Sequence, residues 1–279
     1  MKCSFNGKHV FITGGSSGIG LSLARMFSAC GASVTIMARR EDQLAAAIKE
    51  ISALKSDPAQ QFLTLRGDVA DMQAVMKSLA AFEKAHGTPD ILINSAGITY
   101  PGEFQNLSPE ILRDLMSINY LGTAYVTRAF INGMIQRGSG HIVNISSMAG
   151  FIGTYGYSGY GASKYAVRGF SEVLRAELKP LGIQVSIVYP PDTQTPQLDY
   201  EKDLKPAITQ ELADNAGVMS ADAVATSILK GIQAKHYTIL PGFNSWFYYV
   251  LSSILGDLTF KVMDGEIRSA MKRISKRTK

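Results

Sequence analysis

The stretch "YGASK" places a tyrosine and a lysine, Tyr160 and Lys164, four residues apart. In a helix this spacing puts both side chains on one face, so the lysine ammonium could lie beside the phenol. A free phenol has a pKa of about 10, and a neighbouring cation favours its ionised form. The pair could therefore exchange a proton with a substrate as a general acid or base. Without other motifs, such a pair would more often be ordinary decoration of a helix surface.

A second candidate for chemistry is the glycine-rich segment "TGGSSGIG", which follows a short apolar run and leads into a helical pattern. Its glycines allow a tight turn and let backbone N–H groups approach a pyrophosphate at the helix N-terminus. The spacing is G-x-x-x-G-x-G rather than the commoner dinucleotide pattern G-x-G-x-x-G. An ordinary glycine-rich turn is the alternative. We predict a nucleotide site that contains Gly14, Ser16, Ser17, Gly18, Ile19 and Gly20.

The same segment also spells G-x-S-x-G with Ser16 at its centre, which is the pattern of a hydrolase nucleophile. A serine hydrolase would need a later acidic residue and then a histidine. His236 is the one well-placed late histidine. This alternative leaves the other motifs of the chain unexplained.

The end of the second predicted strand, "MARRED", bears on the choice of nucleotide. An acidic residue at this position would bind the ribose hydroxyls of NAD, whereas basic residues favour the 2′-phosphate of NADP. Ala38 occupies the position of the acid, and Arg39 and Arg40 follow it. Guanidinium groups bind phosphate through bidentate, charge-assisted hydrogen bonds, so we predict NADP(H) as the cofactor. Surface arginines at a helix start are the alternative.

Short apolar, β-branched runs alternate with segments of helical period along the chain, which is typical of an α/β protein. The strands are apolar on both sides, so we predict one Rossmann-like, doubly wound parallel sheet of about seven strands with helices on both faces. Its active crevice should lie at the carboxyl ends of the strands. Strands are predicted near 8–13, 33–38, 62–67, 90–95, 141–146, 184–189 and 237–240. Helices are predicted near 18–29, 41–55, 71–86, 108–137, 158–179 and 221–235.

Five motifs follow one another in this order: "TGGSSGIG", "NSAG", "SINYLG", "ISSMAG" and "YGASK". With them the chain resembles the short-chain dehydrogenase/reductase family from end to end. The resemblance implies that Tyr160 gives a proton to a ketone oxygen during hydride transfer and that Ser147 hydrogen bonds this oxygen. It also implies that Lys164 binds the nicotinamide ribose and that Asn119 is a station in a water relay toward Lys164. Ser146 would replace Ser147 if the register shifts by one, and Asn119 could instead mark a helix bend with a bound water.

The resemblance extends to further cofactor contacts. Asp68 and Val69 are expected to meet the adenine, although a turn at a strand end would look the same. Two departures are Ser95, where many members have asparagine, and Gln43, where relatives carry a lysine. The implied cofactor contacts include the residues of the glycine loop, the two arginines, Tyr160 and Lys164. The other implied contacts are Asp68, Val69, Asn94, Ala96, Gly97, Pro190 and Thr193.

The segment "YPPDTQTP" bears on the substrate, because most relatives have Pro-Gly where this chain has two prolines. In this detail the chain resembles the branch of the family that reduces 3-ketosphinganine to sphinganine with NADPH, which implies a long-chain ketone substrate. Other substrates stay open, namely a 3-oxoacyl thioester, a steroid or a retinoid. A non-enzymatic NADP-binding scaffold on the same fold is a further alternative.

We expect residues 1–242 to form the catalytic domain, within which the polar, proline-containing stretch 191–218 would be a substrate flap. Residues 243–279 form an apolar, aromatic and then basic segment. Its apolar part is shorter than the ~20 residues that span a bilayer. It could lie on an anionic membrane surface or pack on protein, in this chain or in another subunit.

Composition limits the partners. The net charge of +5 is concentrated in the last dozen residues, so we expect no nucleic acid partner, and four scattered histidines give no metal-binding pattern. Cys3 and Cys30 form no C-x-x-C motif, and the first strand begins too early for a signal peptide. We therefore expect a reducing, cytoplasmic location, free or peripheral on the cytoplasmic face of a membrane. The family resemblance implies a homodimer or homotetramer.

Overall fold

The structure, a computed structural model, describes residues 4–277, without the side chains of 215 and 216. Cys3 therefore lies outside the described residues. The strands are β1 (His9–Thr13), β2 (Ser33–Ala38), β3 (Phe62–Arg66), β4 (Ile91–Asn94), β5 (Gly140–Ile145), β6 (Ile183–Val188), β7 (Thr193–Gln194), β8 (Met219–Ser220) and β9 (Thr238–Ile239). Seven of them form one parallel sheet in the order β3-β2-β1-β4-β5-β6-β9, and β7 pairs with β8 in a separate two-stranded sheet. The seven predicted strands match the strands of the large sheet.

Helices cover both faces of this sheet. They are α1 (Gly18–Ala29), α2 (Glu41–Ser52), α3 (Met72–His86), α4 (Pro109–Met116), α5 (Gly122–Arg137), α6 (Ser158–Leu178), α7 (Pro196–Glu201), α8 (Ala207–Ala216), α9 (Ala221–Gln233), α10 (Gly242–Leu255) and α11 (Leu258–Arg277). The predicted helix 108–137 is confirmed as a continuous helical segment, in which a π-helical turn (Ser117–Leu121) lies between α4 and α5.

Successive side chains along each strand point to opposite faces of the sheet, and this alternation builds the two halves of the core. Val10 and Ile12 point to one face and pack with α1, α2 and α9, whereas Phe11 between them points to the other and packs with α3, α5 and α6. All three side chains are fully buried. Burial on both faces explains the continuous apolar strands and confirms the doubly wound sheet predicted from the sequence.

The order in which the strands join the sheet determines where the crevice lies. The chain builds β1, β2 and β3 outward in one direction and then returns to add β4 on the other side of β1. At such a switch point the loops after neighbouring strands diverge and leave a crevice at their carboxyl ends. The loops after β1, β4, β5 and β6 therefore meet at one place.

The predicted flap 191–218 contains α7 and α8, and the pairing of β7 with β8 joins its two ends. The C-terminal helix α11 packs on α8. Glu211 of α8 accepts hydrogen bonds from Arg273 Nε at 2.6 Å and from Arg277 Nη1 at 2.8 Å. The C-terminal segment is thus connected to the flap.

Candidate active site

A cavity of about 330 Å³ opens at the carboxyl ends of the strands, between the glycine loop, the loops after β4, β5 and β6, the flap and α10. It brings together residues that are far apart in the sequence. The predicted site residues that line it are Gly14, Ser17, Gly18, Ile19, Gly20, Ala96, Gly97, Ser147, Tyr160, Lys164, Pro190 and Thr193.

A smaller cavity of about 140 Å³ adjoins the other side of the glycine loop and reaches the ends of β2 and β3. Of the predicted residues, Gly14, Ser17, Ala96 and Gly97 line both cavities. The remaining predicted residues at the smaller cavity are Ser16, Arg39, Arg40, Asp68 and Val69. The two cavities therefore have the arrangement that an extended dinucleotide needs, with arginines at one end and Tyr160 at the other.

Ser147 and Tyr160 both line the large cavity, and the Ser147 side chain lowers the pKa of the Tyr160 phenol. Ser147 begins a short 3-10 turn after β5, where its Oγ also accepts from the Ala149 N–H at 3.2 Å. Ser146 Oγ instead donates to the Lys164 carbonyl at 3.0 Å and is buried. Ser147, rather than its neighbour, is thus the serine that faces the phenol.

Lys164 lies one turn after Tyr160 on α6, with its Nζ 5.6 Å from the centre of the Tyr160 ring. Its ammonium donates to the Ile145 carbonyl at 3.0 Å, and the side chain is only 6% exposed. Burial lowers the pKa of Lys164 to about 8. The lysine is therefore close to the phenol and titrates not far from neutral pH.

The lowered pKa that the sequence predicts for Tyr160 is wrong. Burial raises the pKa of its phenol, and the nearby carboxylates of Glu201 and Asp192 raise it further, whereas the Ser147 side chain lowers it. Removal of the phenolate from water outweighs the stabilising contacts. Tyr160 is therefore protonated at neutral pH, as a proton donor must be.

Asn119 lies in the π-helical turn between α4 and α5 and is buried. Its Oδ1 accepts from the Ile98 N–H at 2.8 Å, and its Nδ2 donates to the Ile98 carbonyl and to Ser163 Oγ, both at 2.9 Å. π-helical turns often occur at functional sites because they redirect single side chains. Here the turn aims Asn119 at the loop after β4 and at α6, and its role in a water relay stays a prediction.

Asn94 lines neither cavity, and the cofactor role expected for it stays a prediction. Its Nδ2 donates to Thr127 Oγ1 at 3.0 Å and to Asn144 Oδ1 at 2.9 Å, and the residue is 2% exposed. Its Oδ1 has no hydrogen-bond partner within the described residues. The amide nitrogen of Asn94 therefore joins β4 to β5 and α5.

The residues of the large cavity that were not predicted include Tyr157, Asp192 and Glu201. Tyr157 Oη donates to Glu201 Oε2 at 2.5 Å, and the rings of Tyr157 and Tyr160 lie 5.6 Å apart. The flap brings Glu201 to α6 from a distant part of the chain. The only sequence signal was the position of both acids inside the predicted flap.

The shape of the glycine loop fits a nicotinamide dinucleotide. Gly14 has φ +66°, and a Cβ there would lie 2.9 Å from the backbone of Ala96. A Cβ on Gly20 would lie 2.3 Å from the Gly14 carbonyl oxygen. Side chains are thus excluded where α1 begins, so its backbone N–H groups can bind a pyrophosphate.

The hydrolase alternative is not compatible with the fold. Ser16 follows the carboxyl end of β1, whereas His236 precedes the amino end of β9 in the same parallel sheet. The two residues therefore lie at opposite ends of the sheet. His236 lines neither cavity.

A model of the short chain dehydrogenase family matches residues 8–205. The 3-dehydrosphinganine reductase of Danio rerio is 38% identical over 234 residues, which cover 84% of this chain and 70% of the relative. The 3-ketodihydrosphingosine reductase of Bos taurus is 38% identical over 249 residues, which cover 89% and 74%.

Solved structures show the same likeness. Levodione reductase superposes with a TM-score of 0.78 and 25% identity, over 87% of this chain and 98% of that one. A short chain dehydrogenase/reductase from Burkholderia phymatum in complex with NAD has a TM-score of 0.76 and 25% identity, over 95% and 96%. The chain thus belongs to the short-chain dehydrogenase family and is an oxidoreductase of the CH–OH/C=O group that uses a nicotinamide cofactor.

Proposed function

We propose that this protein reduces 3-ketosphinganine to sphinganine with NADPH. The observation that carries the proposal is the placement of Tyr160, Ser147 and Lys164 together in the wall of a cavity roofed by the flap. The names of the two relatives support the choice of ketone, since each is named as a reductase of this sphingoid ketone.

Each residue of the site would have a separate role in the reaction. A bound reduced nicotinamide would supply the hydride that the carbonyl carbon receives. Ser147 would hydrogen bond the carbonyl oxygen, and Tyr160 would donate its proton to that oxygen as negative charge develops there. Lys164 would hold the ribose, and the glycine loop would hold the pyrophosphate.

Part of the cavity wall suits an alkyl chain. Leu198 of α7, Leu212 and Ala213 of α8 and Met148 line it with apolar groups. Tyr248 of α10 also reaches it. Burial of methylene groups against such surfaces is worth about 0.8 kcal/mol each. This lining favours a long-chain ketone over a short one.

The preference for NADPH rests on the smaller cavity. Arg39 and Arg40 line it, and Ala38 stands where an acid would bind a 2′-hydroxyl. Arg39 lies 3.9 Å from Asp68, but both side chains are largely exposed and such pairs are weak. The guanidinium can therefore turn to a phosphate at little cost.

We also propose that α10 and α11 place the protein on an anionic membrane surface at the cytoplasmic face. Phe243, Trp246 and Phe247 expose 69%, 50% and 41% of their surface, whereas the opposite face of α10 packs Tyr249 against Phe151. None of the helices within residues 4–277 has the length and apolar character to cross a bilayer. Exposed aromatic rings beside a basic helix are typical of interfacial binding.

The position of α10 connects this surface to the reaction. Asn244 and Tyr248 line the large cavity, while the exposed aromatic residues lie on the same helix. A ketone with a long alkyl chain resides in membranes, so a binding helix at the cavity wall shortens its path to Tyr160.

We further propose a homodimer or homotetramer, in line with the family resemblance. The helix α6 exposes Tyr165 and Val173 by 43% and 59%. Apolar side chains on an exposed helix face are suited to contact with a second copy. Light scattering after size exclusion, with and without Val173→Glu, would test this assembly.

The function is tested by following NADPH oxidation with 3-ketosphinganine and with a short β-ketoacyl thioester. We expect faster consumption with 3-ketosphinganine and sphinganine as the product in mass spectrometry. Preference for the thioester, or for a steroid or retinoid ketone in the same panel, would assign another substrate. Nucleotide binding without turnover of any ketone would instead indicate a non-enzymatic NADP-binding protein.

A further inference from the structure

An acidic pair lies in the wall of the large cavity, opposite the glycine loop. Glu201 at the end of α7 is 7% exposed, and Asp192 lies in the loop after β6. The cation beside them is Lys205, whose Nζ is 3.4 Å from Asp192 Oδ2 and 3.9 Å from Glu201 Oε2. The Lys205 side chain is 3% exposed and is not among the residues that line the cavity.

The charges of this group do not balance. Two carboxylates face one ammonium, which leaves a formal charge of −1; Glu201 and Lys205 are buried, whereas Asp192 is partly exposed. The hydroxyl of Tyr157 donates to Glu201 but brings no charge. A buried, uncompensated charge is costly, so a second cation entering the cavity would be stabilised there.

The acidic pair lies close to the reacting groups. Tyr157 connects them, because it hydrogen bonds Glu201 while its ring lies 5.6 Å from the ring of Tyr160. The carboxylates of Glu201 and Asp192 also raise the pKa of the Tyr160 phenol, which places their charges within electrostatic reach of it. A substrate whose ketone oxygen meets Tyr160 would present its neighbouring carbon to this wall.

We propose that Glu201, assisted by Asp192, binds the ammonium group of an α-amino ketone substrate. In 3-ketosphinganine the amino group is attached to the carbon next to the carbonyl, so one molecule can meet Tyr160 and Glu201 together. The inference rests on the proposed function and deepens it, since it assigns the selection of an amino ketone over a plain ketone to one flap residue.

If Glu201 had only a structural role, its replacement would affect the substrates differently. Lys205, Asp192 and Glu201 also join α7 to the loop after β6, and loss of that contact would loosen the flap for every substrate alike. Recognition of the ammonium group, in contrast, affects only substrates that carry it. Substrate discrimination therefore separates the two roles.

The experiment compares 3-ketosphinganine with an analogue of equal chain length that has hydrogen in place of the amino group. For the unmodified protein we expect kcat/KM to be about 10- to 100-fold higher for the amino ketone, as is usual for a charge-assisted contact. Glu201→Gln should remove most of this preference by lowering kcat/KM for the amino ketone while changing the value for the plain ketone little. Asp192→Asn should reduce the preference to a smaller extent.

The matched control is Glu211→Gln, which changes a flap carboxylate that pairs with Arg273 and Arg277 rather than lining the cavity. It should leave the preference unchanged.

Equal rates of the unmodified protein on both ketones would overturn the inference and leave the reductase function intact, as would an equal loss on both ketones in Glu201→Gln. Reduction of neither ketone would overturn the proposed function and the inference together. If Glu201→Gln does not fold, as judged by its melting curve, two measurements still test the inference. These are the substrate preference of Asp192→Asn and the kcat/KM values of the unmodified protein for the two ketones.

Discussion

The ammonium nitrogen of Lys164 lies 3.0 Å from the carbonyl oxygen of Ile145, the last residue of β5. Ser147 follows Ile145 by two residues, and Tyr160 precedes Lys164 by one helical turn. This single contact between a helix and a strand end therefore helps to fix the phenol and the serine hydroxyl relative to each other. The proposed proton donor depends on that geometry, and the first two predictions test it.

Replacement of Tyr160 by phenylalanine removes the hydroxyl and keeps the ring. Because a positioned general acid typically contributes 10²- to 10⁴-fold, ketone reduction should fall by about that factor. NADPH affinity, measured by fluorescence titration, should change little. Tyr165→Phe, on the exposed side of the same helix, is the control and should keep full activity. Normal turnover in Tyr160→Phe would contradict the proposed mechanism.

The lowered pKa of Lys164, about 8, predicts an alkaline limit to activity. The ammonium is present below this pH and is lost as the pH rises through it, so kcat/KM for reduction should decline above about pH 8. In Lys164→Arg the side chain stays charged over this range. Its activity should be lower because the planar group fits poorly, but the alkaline decline should move to higher pH. An unchanged profile in this variant would assign the decline to another group.

The two arginines of the smaller cavity predict the choice of nucleotide. Loss of a charge-assisted contact to the 2′-phosphate should raise the KM for NADPH about tenfold or more in the double variant Arg39→Ala, Arg40→Ala. The KM for NADH should stay nearly the same, because NADH has no phosphate at this place. Arg66→Ala removes an exposed arginine that pairs with Glu41 outside both cavities, and it should affect neither nucleotide. An equal loss for NADPH and NADH would argue against phosphate recognition.

The fold was predictable because its determinants are local. Strands such as Ser33–Ala38 are apolar on both faces, and the glycine loop follows directly from residues next to each other in the chain. The π-helical turn within the predicted helix 108–137 was not predictable. It places Asn119 in hydrogen bonds with Ile98 and Ser163, which are distant in sequence and meet Asn119 only in the folded protein.

The site was predictable to the extent that its residues lie in motifs. Tyr160 and Lys164 share one helix, so spacing alone places them together, but the pKa of Tyr160 depends on its burial, which spacing does not reveal. Asn94 lies in a motif and yet points into the core. Glu201 lies in no motif, because the flap carries it to Tyr157 across a long stretch of chain.

A buried histidine predicts how stability changes with pH. His141 on β5 donates from Nε2 to Ser186 Oγ at 2.7 Å, since that hydroxyl donates its own proton to the His236 carbonyl. Burial lowers the pKa of His141 to about 4 from an ordinary value of 6.5. The unfolded chain therefore binds a proton more readily, so stability is complete above about pH 6.5 and is lost as the pH falls toward 4.

This single group should lower the free energy of unfolding by about 2 kcal/mol between pH 7 and pH 5. Urea unfolding at the two pH values measures the loss, and His141→Gln should reduce it by this amount even if the variant is less stable overall. The comparison between the variant and the unmodified protein removes the contribution of His9, whose pKa burial also lowers. An equal loss in both proteins would show that other groups dominate.

The exposed aromatic face of α10 gives the last prediction, for binding to membranes. The protein should float with liposomes that contain anionic lipids and much less with neutral ones, because exposed basic residues of α11 such as Lys261, Arg268 and Lys272 accompany the aromatic rings. Replacement of Phe243, Trp246 and Phe247 by serine should lower binding at least about tenfold, since each ring contributes on the order of 1.5–3 kcal/mol when buried. These side chains are exposed, so the variant should fold and should still reduce a ketone presented in detergent.

Val173→Ser on α6 changes an exposed apolar residue elsewhere and should leave flotation unchanged. Undiminished flotation of the triple variant would exclude α10 as the membrane contact, and undiminished flotation at high salt would exclude the electrostatic part of the attraction.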